Sequence, residues 1–160
     1  MADVSIKDWT PTREALPPLA YGSVMYLLPT RHQAGGERPQ TLMYVEAVRY
    51  LPKFARAGGI PLEFSVSAPD RAFLSEYSAD VETIAYAIAS IGWISDWTIA
   101  LVQLAVAEAR ARLGYAKEDP SPRLRVAIAE IDNERNVLRG VEVEGDPAAV
   151  IAALTKLRDS

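Results

Sequence analysis

The sequence predicts an α+β domain of about four strands, with a central apolar helix pair and a C-terminal β-hairpin followed by a helix. Three observations carry this. An apolar block from Ile84 to Ala107 holds Asp96 as its only formal charge. Two alternating runs, Leu124-Val126-Ile128 and Val141-Val143, flank a polar Asp132–Arg135 stretch, which is the pattern of a hairpin. Ile60, Leu62, Phe64 and Val66 alternate with Glu63, Ser65 and Ser67, the signature of a half-buried strand.

Residues 1–20 read as an irregular lead-in, because Pro11, Pro17 and Pro18 oppose regular helix and central strand. The run from Tyr21 to Leu28 is a strand candidate stopped by Pro29, and Arg31–Gln40 is a polar, glycine-bearing loop. From Thr41 onward Leu42, Val45, Val48 and Leu51 recur at helical spacing. Pro52 is expected to kink or end that helix, and Gly58-Gly59 to close the segment.

Ser78 or Asp80 can cap the next helix. Gly92, Ser95 and Asp96 interrupt the apolar block, which favours two helices, about 79–91 and 95–113, over one uninterrupted span. Residues 115–122 form an internal linker. Asp146-Pro147 supplies an N-cap with proline at the first helical position, and Val150, Ile151, Leu154 and Leu157 give the last helix its apolar face. A βαβ-like crossover is expected to join the two N-terminal strands, with the C-terminal hairpin adjoining them.

Composition bounds the function. The 160 residues suit a single domain, 49% of them hydrophobic and 24% charged. A net charge of -4 argues against generic nucleic-acid binding. Without cysteine there is no thiolate nucleophile or thiolate metal site, and one histidine makes no His-pair site within a chain. The opening MADVSIKDWTPTRE lacks a basic region followed by an apolar one, so no secretory signal is visible and a cytoplasmic location is expected.

No motif supplies an activated nucleophile, a metal cage or a phosphate cradle. Gly35-Gly36 and Gly58-Gly59 match no phosphate loop and suit turns and caps. Glu130, Asp132 and Glu134 lack the glycine and terminal glutamate of a calcium loop and suit a hairpin turn. Arg123 and Arg125 share a strand face that can pair with Glu142 and Glu144. The expected sites are therefore neither catalytic, cofactor-binding nor metal-binding. Ile91, Trp93, Ile94, Trp97 and Leu101 are the candidates for binding a partner, because excess apolar surface points to another copy or a recruited protein.

Two alternatives stand beside this reading. The block 84–107 is long enough to span a bilayer, which takes about 20 residues, and a membrane-active effector would use it so. Against that, Asp96 would lie inside the span, and Trp93 and Trp97 lie mid-block, away from the interfaces. The second alternative is a small enzyme centred on His32 with Glu37, completed by Tyr21 or Arg31.

From Val81 to Leu157 the chain also resembles the effector-associated constant components of bacterial conflict systems. The resemblance rests on the glycine-broken apolar block, the basic linker ARARLGYAKEDPSPRLRV, the charged hairpin and the ending VEVEGDPAAVIAALTKL. It implies a non-enzymatic adaptor component that couples or recruits an effector protein, while the excess apolar surface leads to the expectation of a homo-oligomer or a hetero-complex with an effector protein. It brings no functional residues with it.

Overall fold

A computed structural model describes residues 4–35, 38–74, 83–114, 116 and 122–160, with backbone alone for 31–35 and 38–41. The strands are β1 (Val4–Asp8), β2 (Met25–Leu27), β3 (Arg31–Gly35), β4 (Arg38–Val45), β5 (Leu62–Phe64), β6 (Phe73–Leu74), β7 (Thr83–Ile91), β8 (Arg123–Ile131) and β9 (Val137–Gly145). The helices are α1 (Leu51–Ala57), α2 (Asp96–Arg112) and α3 (Pro147–Asp159). Six strands form one mixed sheet in the order β1-β9-β8-β7-β2-β5, and β3-β4-β6 form a smaller one. The chain is α+β, with more strands than its sequence suggests.

The main correction falls on the apolar block. Residues 83–91, expected as the first of two helices, are the strand β7, paired in parallel with β8 from Thr83↔Arg123 to Ile91↔Ile131 and antiparallel with β2. Ile84, Tyr86 and Ile88 enter the core beneath the helices, while Ala87 and Ala89 enter a second cluster on the opposite face. A strand buried on both faces reads as an unbroken apolar run, and such a run carries no period that separates it from a buried helix. Gly92, at φ +95°, then reverses the chain into α2, which carries it back to β8 as a parallel crossover.

The start of α2 does follow its sequence. Ser95 Oγ accepts from the Thr98 amide at 3.3 Å and Thr98 Oγ1 accepts from the Ser95 amide at 3.1 Å, a reciprocal capping box. Ser95→Ala is expected to lower stability by about 1 kcal/mol. That appears as a lower denaturant midpoint at unchanged slope; an unchanged midpoint would show that the cap adds nothing.

Three further expectations are corrected. The helix expected from Thr41 divides into β4, a 3-10 turn over Glu46–Val48, and α1. Pro52 lies in the first turn of α1, where its missing amide hydrogen is not needed, so it opens that helix. Within the loop expected at 31–40, residues 31–35 and 38–40 are instead strand, paired antiparallel as β3 and β4. The lead-in contains an edge strand, β1, and a 3-10 turn over Arg13–Ala15.

Other expectations hold. β2 and β5 pair in parallel across a crossover that contains α1. Gly58 and Gly59 close α1, with Gly59 at φ +82°. β8 and β9 form the expected hairpin, but it does not adjoin the β2–β5 pair as expected, because β7 lies between them. Asp146 caps α3 through the Ala148 amide, with Pro147 in the first turn. Ser78 and Asp80 lie outside the described residues, as does most of the 115–122 linker.

Candidate interaction surface

Burial divides the five partner-binding candidates. Ile94 and Leu101 are 5% and 1% exposed and belong to the chain's own core. Folding removes both from any partner's reach. Ile91 is half-buried against the alanine cluster of the second face. Trp93 is half-buried, with the Arg139 guanidinium 4.1 Å from its ring centre, and Arg139 also pairs with Glu130 at 2.9 Å. Only Trp97 is open, at 49% exposure, beside the Asp96–Arg158 ion pair that links α2 to the end of α3.

The surface that sequence reasoning missed is β1. All five of its residues are exposed, including Ile6 at 51%. Among the described residues it pairs with β9 alone. The register sets Asp8 opposite Val141, and the Trp9 amide donates to the Gly140 carbonyl at 3.2 Å. Antiparallel ladders alternate, so Ser5 and Lys7 share the hydrogen-bonding phase of Trp9. Val4, Ile6 and Asp8 accordingly turn their amide and carbonyl groups away from β9, toward an edge on which no described strand pairs. The alternation in Val-Ser-Ile-Lys was the available signal, and the prolines that follow masked it.

The other sheet edge is closed. β5 has three residues, and Arg56 Nη1 donates to the Leu62 carbonyl at 3.0 Å. Short edge strands with occupied backbone groups resist pairing with another chain. Charge pairs brace β1 from within the sheet: Lys7–Glu142 at 3.3 Å, Arg125–Glu142 at 3.7 Å and Arg125–Glu144 at 2.9 Å. The pairing of Arg125 with the glutamates of β9 is the one its strand face suggested.

The acidic hairpin row is structural where it can be followed. Asp132 Oδ1 accepts from the amides of Glu134 and Asn136, and Oδ2 from Asn136 Nδ2, each at 2.9 Å. The Asn136 side chain is the main cause that holds the Asp132 carboxyl below its ordinary range. A depressed carboxyl stabilises the fold above its unfolded pKa, and that contribution is lost as pH falls through the folded value. Protection of the Glu134 and Asn136 amides, measured against their intrinsic exchange rates, is therefore expected to fall below about pH 4, and Asp132→Asn to remove that acid sensitivity. Equal acid sensitivity in both proteins would disprove the assignment.

His32 and Arg31 lie on β3 with side chains outside those described, and Gly36 and Glu37 lie outside the described residues altogether. Tyr21 is exposed, and its amide donates to the Tyr26 hydroxyl at 3.0 Å. Among the described residues no group of acidic or histidine side chains could hold a metal ion, and no helix is long and apolar enough to cross a membrane. The 84–107 block cannot act as a helical span in this fold, since its first third is a central strand. Comparison with protein families, curated proteins and solved structures finds no significant match to this chain.

Proposed function

We propose that this chain is a non-catalytic interaction module of the cytoplasm, one that couples a partner protein by adding an extended segment of it to β1. The observation that carries the reading is the asymmetry of the sheet edges. β5 is short with an occupied carbonyl, whereas β1 offers outward backbone groups at Val4, Ile6 and Asp8 and an exposed apolar side chain at Ile6. Strand addition of this kind draws affinity from main-chain hydrogen bonds and specificity from alternate side chains. The resemblance to effector-associated constant components points to an effector protein as that partner. Trp97, exposed at the start of α2, is the one earlier candidate still open to a partner.

The test is selection of extended peptides from a display library, followed by amide exchange on the complex. Bound peptide is expected to protect the Ile6 and Asp8 amides. Ile6→Lys, which places a charge on the edge without touching the β9 ladder, is expected to weaken binding at least tenfold, about 1.4 kcal/mol. Protection elsewhere, unchanged affinity for Ile6→Lys, or concentration-dependent protection of β1 without peptide would overturn the reading. The last result would give the edge to a second copy of the chain.

A further inference from the structure

The register of β1 also sets which side chains an added strand would meet. Residues directly opposite each other in a sheet share a face. Ile6 opposite Val143 and Asp8 opposite Val141 therefore lie on the helix-bearing face, where both valines join the core with Val150 and Leu154 of α3. Val4 shares that face by alternation. Ser5 and Lys7 lie on the other face, opposite Glu144 and Glu142. There the charges alternate from strand to strand: Lys7 on β1, Glu142 and Glu144 on β9, Arg125 on β8. The Glu142 side chain is only 15% exposed and sits between two cations, 3.3 Å from Lys7 and 3.7 Å from Arg125. Lys7, at the end of this row, is 67% exposed. Asp8 is exposed as well, and no cation among the described residues pairs with it.

Opposite charges facing each other across a strand pair stabilise it, and like charges destabilise it. A strand added to β1 therefore gains from an acid opposite Lys7, a base opposite Asp8, and apolar side chains opposite Ile6 and Val4 that extend the row of Val143 outward. A second β1 does not match that pattern. Antiparallel strands set hydrogen-bonding residues opposite one another, and Lys7 and Asp8 differ in phase, so no antiparallel register of β1 on itself brings Lys7 opposite Asp8. With Ile6 opposite Ile6, Lys7 meets Ser5 and Asp8 meets Val4. A slide of two residues one way sets Lys7 against Lys7, and the other way leaves only Val4 to Ile6 overlapped.

We infer that the segment received by β1 belongs to a partner protein, not to a second copy's β1, and reads base-acid-apolar-polar-apolar from its N-terminal end, antiparallel to β1. Its base faces Asp8, its acid faces Lys7, and its two apolar residues face Ile6 and Val4. The antiparallel direction gives the more stable ladder per residue. The inference rests on β1 being the docking edge and adds the charge pattern that selects the partner.

Two peptides of one composition and one net charge test it, KEVTV and EKVTV, each flanked by two threonines on either side. They are titrated to millimolar concentration, at low salt, into the full chain labelled with ¹⁵N. KEVTV is expected to shift and protect the Ile6 and Asp8 amides and to bind about tenfold tighter than EKVTV, a preference that about 0.5 M salt largely removes. The double variant Lys7→Gln, Asp8→Asn, altered only at exposed side chains, is expected to bind both peptides equally and still at β1. Equal affinity of the parent chain for the two peptides, with β1 protected, would overturn the charge pattern and leave β1 as the docking edge. So would tighter binding of EKVTV, a preference that survives in the neutral variant, or tighter binding of the reversed order VTVEK, which matches the same charges only as a parallel strand. No protection of β1 by any of the three would overturn the inference and the docking edge together.

Discussion

Gly140→Ala is expected to destabilise the protein by about 2–3 kcal/mol, the upper part of the range for forcing a carbon into a packed interior. A Cβ at this position would be driven into the Trp9 carbonyl oxygen and would also stand 3.1 Å from the Trp9 carbonyl carbon and 3.4 Å from the Ile128 carbonyl oxygen. These obstacles are backbone atoms, so no rotamer change relieves them. The glycine is needed for close approach between β9 and residues 9–12, a strap across the sheet face away from the helices, since its backbone does not lie in the left-handed region. Moving the strap weakens the Trp9–Gly140 bond and lifts Leu16 and its neighbours off Ala87, Ala89, Ala127 and Ala129. The measurement is chemical denaturation together with amide exchange over residues 9–24, which should become faster. Leu138→Ala serves as the control on the same strand: Leu138 is 60% exposed, and its loss should move stability by no more than about 0.5 kcal/mol. Equal effects for the two substitutions would refute the close approach.

The second large effect is expected at Tyr44 on β4, which is 1% exposed and ties the small sheet to the large one. Its hydroxyl donates to the Leu27 carbonyl at 2.8 Å, lies 3.1 Å from Ser65 Oγ, and accepts from the Val66 amide at 3.3 Å. Its ring meets Phe64 edge-on at 4.9 Å and Phe73 at 5.7 Å, and the Arg71 and Arg49 guanidinium groups cover those two outer rings. Tyr44→Phe keeps the aromatic cluster and leaves the hydroxyl's buried partners short of a bond, for an expected loss of about 1–3 kcal/mol. Tyr44→Ala also opens a cavity and is expected to cost about 3–5 kcal/mol. A Phe variant as stable as the parent would mean that the hydroxyl network adds nothing. Burial also pushes the Tyr44 and Tyr86 hydroxyls above their ordinary pKa. Unfolded tyrosines ionise near pH 10, so stability should be complete below that pH and fall as pH rises beyond it.

Local chemistry was legible in the residues themselves. The Asp146-Pro147 start of α3, the Ser95 cap of α2, the closing of α1 at Gly58-Gly59 and the β8–β9 hairpin all depend on contacts within a few positions of chain. The parallel pairing of β2 with β5 followed from two strands separated by a helix-bearing crossover. The spacing of Leu42, Val45, Val48 and Leu51 misled, because it joined the end of a strand, a 3-10 turn and the start of a helix into one apparent period.

The candidate surface divides along the same line. The alternation in β1 was visible, but that its outer edge stays open while the β5 edge is closed depends on which strands lie outermost. Likewise the alanines of β7 and β8 meet only because residues 83–91 and 123–131 pair side by side, and only the remote strap turns them into the floor of a cleft. The sequence by itself determined the caps, the turns, the hairpin and the mixed α+β character, since these follow from backbone geometry and short-range hydrogen bonding. Only the tertiary structure decided that 83–91 is a strand, because an apolar run takes its conformation from what covers it. Here distant segments cover both faces and both edges of β7, and that enclosure satisfies its backbone groups as a central strand.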